Sequence, residues 1–86
     1  MYVIAIYDVN AKRCPKMMKL CRKYLQHIQN SVFEGEITES NLMELKYDSK
    51  SIMSEDDSFI VFSSRNQKWL KKEIIGVEKR SIDNFI

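Results

Sequence analysis

The hydrophobic positions change period several times along the chain. Tyr2 to Asp8 (YVIAIYD) is β-branched, aromatic and apolar on both faces until Asp8, which predicts a central strand covered on both sides. Pro15 is tolerated only in a first helical turn, so it places a helix from about Arg13 to Gln26. At helical spacing Cys14, Met17, Met18, Cys21, Tyr24, Leu25 and Ile28 gather on one side, and Lys12, Lys16, Lys19 and Lys23 on the other. Ile28 to Ile37 then predicts two short strands joined by a tight connection near Asn30-Ser31. Gly35 in the second of these predicts a bulge or the close approach of another backbone. Thr38 is a good N-cap, with Glu39 in the first turn of a helix that runs to about Met53. Leu42, Leu45, Ser49, Ile52 and Met53 share one side of it. After the polar break Ser54-Glu55-Asp56-Asp57, Ser58 to Ser63 is a strand. Trp69 to Ile75 reads equally as helix or strand. Gly76 ends it, and a polar tail from Val77 closes on the apolar pair Phe85-Ile86.

The order β-α-β-β-α-β, with one further strand and a tail, is an α+β arrangement. It predicts a ferredoxin-like antiparallel sheet with two helices on one face. Residues 1–76 form the domain and residues 77–86 the tail. A chain of 86 residues has a modest core, so pairing with a second copy would help it. A hydrophobic fraction of 44% argues against a disordered chain, and two glycines leave no room for a Gly-rich phosphate loop. No apolar run approaches the roughly 20 residues of a membrane span. Cys14 and Cys21 lie two helical turns apart, about 10 Å, too far for a disulfide within one straight helix. Free thiols, with no signal-peptide pattern before the first strand, point to the cytoplasm.

Net charge is +2, and its distribution is more informative than its size. Residues 12–28 carry Lys12, Arg13, Lys16, Lys19, Arg22 and Lys23 with no acid. Residues 34–57 carry eight acids, and residues 65–80 turn basic again. Such stripes can bind polyanions at low net charge. The lysine row of the first helix is either a solvated face or a phosphate-binding one.

Elimination narrows the chemistry. His27 is the single histidine, which excludes a two-histidine ribonuclease mechanism within one chain. There is no CxxC or HExxH, and no Rossmann or Walker glycine pattern. Asp8 remains, at the end of the first strand. Position alone favours a cap for the following turn or helix. The alternative is a hard oxygen ligand for magnesium or manganese, which one Asp cannot hold alone but two copies on a two-fold axis could. Phe33 could stack on a base or sit in the core, and Tyr7 is a packing residue by position.

Several of these residues recur together in a known family. The strand ending Tyr7-Asp8-Val9, the basic helix with Cys21-Arg22-Lys23-Tyr24-Leu25, and Ile28-Gln29-Asn30-Ser31-Val32-Phe33-Glu34-Gly35 resemble the CRISPR-associated Cas-two family. So do the Asp57-Ser58 strand start and the stretch from Lys72-Glu73-Ile74-Ile75-Gly76 to Asp83-Asn84-Phe85-Ile86.

The resemblance implies a ferredoxin-like homodimer in which each C-terminal segment packs on the partner's sheet. This would make Trp69–Ile75 a strand and give Phe85 and Ile86 a dimer or partner contact. It implies an adaptor between two dimers of the CRISPR integrase subunit (the Cas-one family), binding duplex DNA for spacer acquisition. It also implies a magnesium-dependent endonuclease activity, on single-stranded RNA or duplex DNA, described for some members. The family's catalytic and metal-ligand aspartate matches Asp8, with one magnesium or manganese ion shared across the dimer axis. Its functional phenylalanine and tyrosine match Phe33 and Tyr7. His27 stands where several relatives have arginine, a departure that leaves a phosphate donor mostly when protonated. Lys12, Arg13, Lys16, Lys19, Lys23 and His27 are thus the candidate nucleic-acid contacts. The competing readings are a ferredoxin-like toxin ribonuclease and a non-catalytic regulatory binding module.

Overall fold

The computed structural model describes residues 1–65 and 73–76. The chain folds in the order β1 (Tyr2–Asp8), a 3-10 turn (Ala11–Arg13), α1 (Cys14–Arg22), β2 (Gln26–Gln29), β3 (Val32–Glu36), α2 (Glu39–Ile52) and β4 (Ser58–Ser64). The strands form one antiparallel sheet in the order β2-β3-β1-β4. This is the ferredoxin-like α+β topology expected from the pattern. The expected further strand over Trp69–Ile75 and the tail with Phe85 and Ile86 lie largely outside the described residues.

The pleat of β1 sorts its side chains. Val3, Ala5 and Tyr7 turn to one face and are buried in a core with Met17, Leu20 and Cys21 of α1, Leu42 and Leu45 of α2, and Phe33 of β3. Ile4 and Ile6 turn to the other face and are half-buried. Their β4 partners Phe62 and Ile60 are exposed. The double-sided apolar pattern of β1 therefore has one face covered by helices and the other closed less completely.

α2 begins where Thr38 predicts. The Thr38 hydroxyl accepts from the Asn41 N–H at 3.1 Å, and the helix buries Leu42, Leu45 and Ser49. α1 ends earlier than its periodicity suggests, at Arg22 instead of Gln26. Lys23 and Tyr24 turn the chain, Leu25 drops into the core and β2 starts at Gln26. Gly35 of β3 lies beside Leu25: a Cβ there would make ordinary van der Waals contact with the Leu25 side chain at 3.4 Å and its Cα at 3.6 Å. The irregularity in the ladder falls on β2 between His27 and Gln29 and not at Gly35. Ile28 is consequently a strand residue. Asn30, at φ +46°, takes the left-handed conformation that closes the hairpin.

Cys14 and Cys21 are free thiols, half-buried and buried respectively. Burial pushes the Cys21 thiol up to about 12. Among the described residues no helix is long and apolar enough to cross a membrane.

Candidate active site at the end of the first strand

Asp8 is the last residue of β1 and is exposed at the rim of the sheet, in register with Ser58, the first residue of β4. Pairing of β1 with β4 holds its backbone in the ladder while its side chain reaches solvent. It shares an open depression with Val9, Asn10, Arg13, Asp56 and Asp57. The cap for the turn that follows is not Asp8 but Asn10, whose Oδ1 accepts from the Lys12 N–H at 3.1 Å.

Arg13 and Asp57 form the best-defined electrostatic contact near Asp8. Arg13 Nε donates to Asp57 Oδ2 at 2.6 Å and Nη2 donates to Oδ1 at 3.1 Å, a two-point fork. The Arg13 fork, helped by the Ser54 and Asn10 N–H groups, holds the Asp57 carboxyl well below the usual range. The same hydrogen bond raises the Arg13 guanidinium. Arg13, a residue of the predicted nucleic-acid row, therefore braces the loop beside Asp8. In the sequence Asp57 stood as one acid in a run and as part of the Asp57-Ser58 strand start, and neither pointed to Arg13, 44 positions away.

Tyr7 and Phe33 are inside the protein. Their ring centroids are 6.1 Å apart, and Phe33 is fully buried, with the His27 ring tilted against it at 4.8 Å. Burial is the main cause that raises the Tyr7 phenol. Neither ring offers a surface to a base. His27 is half-buried, and its Nε2 donates to the Asn30 carbonyl at 2.7 Å across the hairpin turn. Glu34, on the opposite sheet face, is buried and accepts from the Tyr2 hydroxyl.

The lysines divide. Lys16, Lys19 and Lys23 are exposed and line one groove between α1 and α2, opposite Asp48 and Ser51 of α2. Lys12 is exposed in the 3-10 turn that precedes the helix. The row has no acid within its own helix, but the fold brings Asp48 to its groove.

Among the described residues no group of three or more His, Cys, Asp or Glu side chains is placed to hold a metal ion. The chain offers the exposed Asp8 carboxylate as a hard oxygen donor, with Asp56 in the same depression. Magnesium keeps several waters and is usually bound by one or two carboxylates, so this donor set fits such an ion as half of a site.

Comparison with known proteins agrees with this fold. The family model described as CRISPR associated protein Cas2 matches residues 1–72. The chain belongs to the Cas2 family. Among its relatives, the CRISPR-associated endoribonuclease Cas2 of Fusobacterium nucleatum is 45% identical over 92 residues, covering 100% of this chain and 87% of the relative. The CRISPR-associated endoribonuclease Cas2 of Thermotoga maritima is 45% identical over 87 residues, covering 100% of this chain and 99% of the relative. Among solved structures, a Cas2 crystal structure superposes with a TM-score of 0.80 at 41% identity, covering 92% of this chain and 90% of that one. Streptococcus pyogenes Cas2 at pH 6.5 superposes with a TM-score of 0.78 at 32% identity, covering 88% and 100%.

Proposed function

We propose that this Cas2-family chain works as a homodimeric adaptor in CRISPR spacer acquisition, bridging integrase dimers and binding duplex DNA. We infer in addition a magnesium-dependent endonuclease activity, on single-stranded RNA or duplex DNA, through Asp8 of both protomers. The observation that carries the second reading is the exposed Asp8 carboxylate at a strand end held in the ladder with Ser58, with no group of three metal-ligating side chains among the described residues. One Asp8 is half a site, and a second copy supplies the other half.

The half-covered sheet face supports the dimer. Ile4, Ile6, Ile60 and Phe62 lie side by side on it, an apolar surface that a second copy or its tail segment 77–86, with Phe85 and Ile86, would cover. Exposed along one groove, Lys16, Lys19 and Lys23 would meet a phosphate backbone, with Lys12 outside that groove as a weaker contact, whereas Arg13 is committed to the Asp57 fork and His27 to the Asn30 carbonyl. The two free cysteines support a reducing, cytoplasmic setting.

The two Asp8 carboxylates would hold the ion, each carried at the end of β1 and paired through its backbone with β4. When bound, the ion supplies charge stabilisation to the phosphodiester at the moment of displacement. The chain's lysines orient the nucleic acid and lower its charge. The integrase-bridging role needs none of this chemistry.

Asp8→Asn separates the two readings. It should abolish magnesium-dependent cleavage and leave spacer insertion in cells intact. Cleavage that survives in the variant removes Asp8 from the chemistry. Loss of spacer insertion with fold and complex preserved removes the scaffold-only role. Co-purification with the integrase subunit tests the partner directly.

A further inference from the structure

Asp57 sits at the foot of β4, one residue before the Ser58 that pairs with Asp8. Its side chain is 4% exposed and accepts four hydrogen bonds. One comes from its own loop, the Ser54 N–H at 3.0 Å. The other three come from the connection that leaves Asp8: the Asn10 N–H at 3.1 Å, and Nε and Nη2 of Arg13. Arg13 Nη2 also donates to Ser54 Oγ at 2.9 Å.

Residue 8 is thus held in the ladder with Ser58, and residue 10 is held by the Asp57 carboxylate. Val9 between them is half-buried, and its carbonyl accepts from Cys14 Sγ at 3.7 Å. The 54–57 loop is already closed by the Asp57 N–H donating to the Ser54 carbonyl at 3.0 Å. The links to Asn10 and Arg13 are therefore not needed to close that loop. They tie the strand end that carries Asp8 to the next strand.

We propose that Asp57, clamped by Arg13, is a positioning residue for Asp8: it fixes the backbone beyond Asp8 and so the direction in which that carboxylate meets a phosphodiester. This rests on the reading of Asp8 as the catalytic carboxylate. Asp57 itself is committed to the guanidinium and is no ligand. Displacement of a catalytic group by about 1 Å can cost on the order of a hundredfold in rate.

Asp57→Asn keeps the shape and puts an amide donor against the Arg13 donors. Arg13→Lys keeps a cation and loses the fork. In the full-length dimer, cleavage of single-stranded RNA should fall about tenfold or more in kcat for Asp57→Asn. RNA affinity, measured in calcium without cleavage, should change less than about twofold, and half-saturating magnesium should not move. Arg13→Lys should keep part of the rate. By NMR hydrogen exchange, the Asn10 amide should lose protection in Asp57→Asn while the Val3 and Ala5 amides keep theirs.

An unchanged kcat, or a fall equal to the loss of folded protein, overturns the proposal. A shifted magnesium midpoint overturns it too, by making Asp57 a ligand. If the wild-type protein shows no Asp8-dependent cleavage, the catalytic reading of Asp8 fails. The exchange experiment then judges the brace by itself, and an Asn10 amide that stays protected in Asp57→Asn sinks it.

Discussion

The His27 imidazole lies 4.8 Å from the Phe33 ring, the two planes tilted by 31°, so that β2 and β3 are joined by side chains as well as by their ladder. Phe33 also lies against Tyr7, and no part of the ring is exposed. The row Tyr7, Phe33, His27 runs from the base of Asp8 to the hairpin turn at Asn30.

Phe33 is therefore a stability residue. Phe33→Ala removes a fully buried aromatic side chain and should destabilise the protein by about 3–5 kcal/mol. The urea midpoint should fall with it. Nucleic-acid affinity per folded molecule should not change, because the ring presents no surface to a base. A variant of normal stability with weakened RNA binding would instead make Phe33 a stacking platform.

What could be read from the chain was whatever is decided locally. Thr38 caps its own helix three residues on, so its role needed no tertiary information. Tyr2 to Tyr7 is apolar at every position, so a strand covered on both sides was legible, but that Val3, Ala5 and Tyr7 rather than Ile4 and Ile6 meet the helices was not. The apolar periodicity of α1 runs on through Leu25, so the sequence extends the helix to Gln26, whereas it stops at Arg22 and Gln26 pairs with Glu34 of β3, a long-range pairing that periodicity does not show. Asp8 was legible as a strand end. Its brace was not, because Arg13 and Asp57 are 44 positions apart and nothing near either residue names the other.

The Arg13–Asp57 pair also sets an acid limb. The folded pKa of Asp57 lies below its ordinary value of 3.8, so the pair's contribution is fully present above that pH. It is lost progressively as pH falls through the folded pKa, because the unfolded chain takes up the proton first. Arg13 stays charged throughout, its own pKa raised by the same contact. The difference in Tm between wild type and Asp57→Asn should therefore be constant from neutral pH to about pH 5 and narrow below about pH 4. Thermal melts across that range check this. A gap that stays constant to pH 2 would show that the pair is not linked to protonation of Asp57.

The lysine groove makes an electrostatic prediction that its own helix does not suggest. Lys16, Lys19 and Lys23 line the groove, and Asp48 stands across from them on α2. If the groove meets a phosphate backbone, each lysine that pairs with one phosphate contributes about 0.9 to the slope of log affinity against log salt for duplex DNA. The triple alanine variant should therefore flatten that slope by about 2 to 3. Asp48 opposes the same phosphates, so Asp48→Asn should tighten binding at low salt. That gain should shrink as salt rises, since screening acts on exposed charges beyond about 10 Å at 0.1 M. Lys12 precedes the helix and is absent from the groove lining, so Lys12→Ala should change the slope by less than any of the three. Equilibrium titrations at several salt concentrations decide the matter. An unchanged slope in the triple variant retires the groove as a phosphate site, and weaker binding by Asp48→Asn would show that the aspartate organises the lysines instead of opposing the ligand.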